Sequence, residues 1–120
     1  MPIMPSGMVV SLDGKFLFVT CASVESMVCI IDLSRRKIFD TIPVGYTASA
    51  PVISPDGKIL FVCNQFNNDV SVIDLLRKRE TRRIAVQREP VAADITQDGK
   101  YLLVANHLHI GRAEEGRRRV

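Results

Sequence analysis

The sequence predicts an all-β fold, a β-propeller fragment of about two and a half four-stranded antiparallel blades. Three observations predict it. Asp13-Gly14-Lys15 recurs as Asp56-Gly57-Lys58 and Asp98-Gly99-Lys100, at intervals of 43 and 42 residues. The text around these turns repeats too, Val28-Cys29-Ile30-Ile31-Asp32-Leu33 returning as Val70-Ser71-Val72-Ile73-Asp74-Leu75. Each period holds four short apolar runs rich in Val, Ile and Phe, and no window carries apolar positions at helical spacing. A fixed period of this size marks an array of one supersecondary unit.

In the second unit the runs are Pro51–Ser54, Ile59–Cys63, Val70–Ile73 and Arg82–Val86. Pro55-Asp56-Gly57-Lys58 joins the first two: Pro presets its own φ, Asp accepts bonds from nearby amides, and Gly takes a positive φ. Gln65–Asp69 forms the second reversal, and Asp74 starts the third. Short connections make the four strands an antiparallel meander, since parallel strands need long crossovers. A sheet of about 40 residues buries too little to stand alone, so neighbouring sheets must stack face to face. The expected divisions are 1–4 as the end of a preceding repeat, 5–47 and 48–89 as blades one and two, 90–107 as the first half of blade three, and 108–120 as a non-repeat basic tail.

The repeated segments Phe16-Leu17-Phe18-Val19-Thr20, Leu60-Phe61-Val62-Cys63-Asn64 and Leu102-Leu103-Val104-Ala105-Asn106 resemble the core of the YVTN-type propeller repeat. Ser54–Lys58 before that core, Asn68–Asp74 after it, and Ile42–Gly45 closing the unit fit the same pattern. The resemblance runs from about Pro5 to Asn106. It implies a ring of about seven blades in an extracytoplasmic, cell-surface or periplasmic setting, sometimes joined to cytochrome c or quinoprotein modules. Residues 104–113 resemble large bacterial propellers of the cytochrome-linked kind. Closed rings need at least four blades, so the expectation is a fragment or a part of an assembly.

Composition sets bounds. The 120 residues permit one domain, and 47% hydrophobic content excludes disorder as the main state. No run reaches the length of a membrane span, and no basic, apolar leader pattern is visible. A net charge of +3, with few aromatics outside the strands, gives no support for nucleic-acid binding. Three cysteines are present. If the loop before Met27 centres on Glu25, Cys21 and Cys29 lie directly opposite each other, which admits a cross-strand disulfide. Free thiols filling small strand positions are the favoured alternative. Cys63 reads as a small packing residue.

Candidate sites are few, and each has a plainer reading beside it. The clusters Arg35-Arg36-Lys37 and Arg77-Lys78-Arg79 fall at the same turn of successive units, forming a basic rim on neighbouring blades. Such a rim attracts phosphate or an acidic surface. Solvated turns that keep outer strands from pairing with other chains are the favoured reading. His107 and His109 stand at alternate positions, a spacing that suits a metal or haem. No third ligand accompanies them, and exposed loop histidines are preferred. Asp94 interrupts the innermost strand of the third unit, where Val9 and Val52 align, which makes it a channel-lining candidate.

The Asp-Gly-Lys turns themselves are read as structure, since a catalytic residue is needed once and a turn in every blade. No catalytic set, phosphate loop or Cys-x-x-Cys pair is present. The expected function is a noncatalytic scaffold segment within a larger protein. Its partners are other blades of the same propeller or other protein domains, and haem or quinone enters only through a module outside this sequence. The alternative is part of a propeller enzyme or electron-transfer protein, lactonase-like, quinoprotein-like or cytochrome c-linked.

Overall fold

A computed structural model describes residues 4–107. The first sheet contains β1 (Pro5–Val10), β2 (Phe16–Cys21), β3 (Met27–Asp32) and β4 (Lys37–Pro43), in that spatial order. The second repeats the plan with β5 (Ala48–Ile53), β6 (Ile59–Asn64), β7 (Asp69–Asp74) and β8 (Arg79–Ala85). A third pair, β9 (Pro90–Ile95) and β10 (Leu102–Asn106), follows. All neighbouring strands are antiparallel. The first strands sit side by side, β1 against β5 and β5 against β9, whereas the outer strands β4 and β8 approach only slightly. This fan, close at the axis and open at the rim, is the geometry of propeller blades. The chain is an all-β propeller fragment.

The repeated turns have one construction. Ser11, Ser54 and Thr96 each donate a hydroxyl to Oδ1 of Asp13, Asp56 and Asp98 at 2.6 Å. The same carboxylate oxygens accept the amides of Lys15, Lys58 and Lys100 at 3.0 Å. Gly14, Gly57 and Gly99 follow with φ of 73–74°, which a side chain would strain. The third turn of each full blade also recurs: Asp32 and Asp74 accept the next amides, and Arg36 and Lys78 adopt φ near 57°.

The main core lies between the first two sheets. Phe18, Val28, Ile30 and Ile42 pack with Ala48, Leu60, Val62 and Ile73. Period-2 alternation sends these residues to the facing surfaces, and full burial stabilises each large one by about 1.5–3 kcal/mol. Near the axis, Ser6 donates to the Ala48 carbonyl at 2.6 Å and shares a 2.9 Å bond with Thr20, tying the two sheets together.

Several local expectations change. β5 begins at Ala48, three residues before Pro51, because a bulge between Ser49 and Val52 accommodates the proline and places Ala50 at φ 51°. β8 likewise begins earlier than expected, at Arg79. A short 3₁₀ turn, Gln65–Asn67, occupies the second reversal, and Asn68 ends it at φ 56°. Finally, β2 and β3 pair Cys21 with Met27 and Val19 with Cys29, so the hairpin centres on Val24. Cys21 and Cys29 are therefore diagonal neighbours rather than directly opposed.

Candidate functional site

The sequence's candidate residues do not converge on one place. Asp94 sits on β9 opposite Leu103, is exposed, and accepts the Ile95 amide at 2.8 Å. Ala92, Ala93, Asp94, Leu103, Val104 and Ala105 line a shallow hollow of about 390 Å³ at this end of the stack. It is almost wholly apolar apart from the one carboxylate, which gives it little to orient a ligand. His107, just past β10, is exposed and lies with Nδ1 3.8 Å from Glu89 Oε1, while its amide donates to the Glu89 carbonyl. His109 falls outside the described residues.

The basic turns are divided among separate tasks. Arg77 bonds Asp74 at 3.1 Å, and Arg35 lies 4.0 Å from Asp32. Lys78 places its ammonium 4.1 Å from the centre of the Phe39 ring, so the second blade's turn leans on the first blade's outer strand. Phe39 in turn meets Phe16, with ring centres 5.7 Å apart. Arg36, Lys37 and Arg79 are exposed. The cations are thus spread between turn closure, inter-blade packing and solvent.

Sequence reasoning missed a buried polar network along the seam between the first two sheets. Asn64, fully buried at the end of β6, accepts the Gly45 amide at 3.0 Å. Its Nδ2 donates to Asp69 Oδ1 and Ser71 Oγ, each at 2.8 Å. Ser71 then donates to Glu80 at 2.9 Å, and Arg83 donates to the other oxygen of that carboxylate at 2.7 Å. The chain of bonds runs from the buried seam to the exposed rim with every Asn64 polar group engaged. The signal available was the return of Asn64 as Asn106. In the third sheet Asn106 Oδ1 is buried and has no hydrogen-bond partner among the described residues.

The first sheet treats the same positions differently. Cys21 and Cys29 hold the register positions of Asn64 and Ser71, with sulfurs 3.5 Å apart. Burial, then the Cys29 contact, pushes the Cys21 thiol up to about 11, and burial alone pushes Cys63 to about 11. Both are therefore protonated near neutrality.

Haem is the cofactor to test against this donor set. Among the described residues no group of three or more His, Cys, Asp or Glu side chains gathers to hold a metal ion. His107 has Glu89 as its carboxylate neighbour, and Asp94 lies on a different strand facing Leu103. Haem iron takes only one or two axial ligands, and among the described residues His107, beside Glu89, is a side chain of that kind. No helix among the described residues is long and apolar enough to cross a membrane.

A family profile described as Cytochrome D1 heme domain matches residues 7–111. Among solved structures, the chain is similar to hydrazine synthase of Kuenenia stuttgartiensis at 33% identity and a TM-score of 0.82, covering 88% of this chain and 30% of that one. It is also similar in fold to the β-propeller domain of Myceliophteria thermophila Cps50 (Swd1), at 16% identity and a TM-score of 0.74, over 89% of this chain and 34% of that one. The chain thus spans about a third of the length of either relative. No curated protein matches it.

Proposed function

The chain belongs to the cytochrome D1 heme domain family, and from that premise we propose that it supplies consecutive blades to a larger propeller as a rigid, noncatalytic scaffold. The blades are 5–47, 48–89 and the half-blade 90–107, built on the YVTN-type repeat. Their partners are further blades of the same ring, in an extracytoplasmic setting, cell-surface or periplasmic. The repeat resemblance and the family match support that setting together.

One observation carries this reading. Phe18, Phe61 and Leu103 hold the same repeat position on successive blades, paired with Val9, Val52 and Asp94. Phe18 is 5% exposed beneath the second sheet, Phe61 is half-buried beneath the third, and Leu103 is 63% exposed. Each blade's face is made to be covered by the next, and the surface at Leu103 suits another blade.

A second reading has the family match and the 33% identity to hydrazine synthase in its favour. In it the segment forms part of the wall of a haem-linked redox propeller, where His107 beside Glu89 is the residue nearest in kind to a haem ligand. Quinone-dependent and lactonase-like versions have no comparable support.

A spectroscopic titration of the chain with haem separates the two. The scaffold reading predicts no saturable Soret shift that depends on His107. A stoichiometric Soret band abolished by His107→Ala would overturn it in favour of the second.

A further inference from the structure

The three cysteines divide into a pair and a single residue. Cys21 ends β2 and Cys29 lies within β3, and both are buried on the face of the first sheet opposite the inter-sheet core. Their sulfurs stand 3.5 Å apart. Cys63 is fully buried in the second sheet, at the register position of Thr20. In that second sheet the counterparts of the pair, Asn64 and Ser71, are joined by a 2.8 Å hydrogen bond. A direct side-chain link between these two positions is therefore a feature of the blade.

We propose that Cys21 and Cys29 are a dithiol–disulfide couple, a modification site at which a small disulfide oxidant crosslinks β2 to β3. Cys21, at the strand end beside the exposed Ser23–Glu25 loop, is the attacking sulfur. With oxidised glutathione as the oxidant at mildly alkaline pH, where a small fraction of the Cys21 thiol ionises, that thiolate attacks one sulfur, the glutathione S–S bond breaks, and a mixed disulfide forms as one glutathione thiolate leaves. The Cys29 thiolate then attacks the Cys21 sulfur and expels the second glutathione. Two protein thiols are oxidised, one glutathione disulfide is reduced to two thiols, and those thiols carry away both protons.

The geometry also sets the character of the bond. The sulfurs must close from 3.5 Å to about 2.05 Å. Diagonal partners in a sheet sit further apart than directly opposed ones, so the crosslink forms under strain and is readily reduced. The hairpin it closes is short and already held in register by backbone bonds, so it removes little entropy from the unfolded chain. It works as a reversible redox mark more than as a staple.

The test is to incubate the full chain with oxidised glutathione under native conditions and follow intact mass, peptide mapping and circular dichroism. The expected product has lost two hydrogen masses, links the Cys21 and Cys29 peptides, leaves Cys63 free, and reverts with dithiothreitol while the strand signal persists. Cys63→Ser should behave the same way, and Cys21→Ser/Cys29→Ser should lose no mass. Any of three results would overturn the proposal: separate glutathione adducts without the crosslink, a crosslink through Cys63, or reaction only in the urea-unfolded chain.

Discussion

Cys21 and Cys29 stand in the first blade where Asn64 and Ser71 stand in the second. The exchange has a physical cause in the strand that follows. Asn64 Nδ2 has two acceptors, Asp69 and Ser71. The register counterpart of Asp69 in the first blade is Met27, which offers no comparable acceptor. An asparagine at position 21 would leave part of its amide without a partner in a buried place. A thiol tolerates those surroundings.

Asn64→Ala should therefore be costly in the second blade. It strands the Gly45 amide and removes a bond from both Asp69 and Ser71. The expected loss is about 1–3 kcal/mol in urea denaturation. A change within error would mean that the seam network contributes nothing net.

Leu60→Ala should cost more than Met8→Ala. Leu60 is fully buried between the first two sheets, whereas Met8 is 68% exposed. Truncation of the leucine is expected to lower stability by about 2–5 kcal/mol, and that of the methionine by about 0.5 kcal/mol or less. Equal effects in the same denaturation assay would contradict the assigned core.

Acid should loosen the blade turns. The Ser54 hydroxyl first, then the Lys58 amide, hold the Asp56 carboxyl below its ordinary value of 3.8. Ser11 and Thr96 do the same for Asp13 and Asp98. A folded-state value below the unfolded one gives stability that is present above 3.8 and lost as pH falls through the depressed value. Carbon-13 NMR titration of the carboxyls should show Asp56 moving up toward 3.8 in Ser54→Ala. An unchanged value would remove the hydroxyl from the account.

The end faces should promote association of the isolated chain. Met8 and Val10 are exposed on the first sheet, as are Leu103 on the third and Tyr101 just before its second strand. Analytical ultracentrifugation is expected to show mass rising with concentration, and a Leu103→Lys variant should weaken it. A concentration-independent monomer would show that these faces do not seek a partner.

The architecture was legible in the sequence because turn chemistry is local. Asp13-Gly14-Lys15 and its two copies specify tight reversals whose bonding partners lie within a few residues. What escaped depends on contacts across sheets or on backbone irregularity. Pro51 marks the start of a run in the sequence, yet the bulge at Ser49 lets β5 begin at Ala48. A one-residue difference in loop centre, Val24 instead of Glu25, moved Cys21 and Cys29 from opposed to diagonal. Asn64 repeats visibly as Asn106, but its role required knowing that Gly45, well over a dozen residues away, delivers an amide to it. Asp94 was placed on its strand and His107 at a strand end by alignment alone, and the fold keeps them apart because no repeat rule brings single-copy residues together.

Methyl-labelled NOE spectroscopy tests most directly whether equivalent sheets stack face to face. Cross-peaks should join the methyls of Val28, Ile30 and Ile42 in the first sheet to those of Leu60, Val62 and Ile73 in the second. Cross-peaks confined within each sheet, with none between these two sets, would contradict the stacked-blade structure and everything drawn from it.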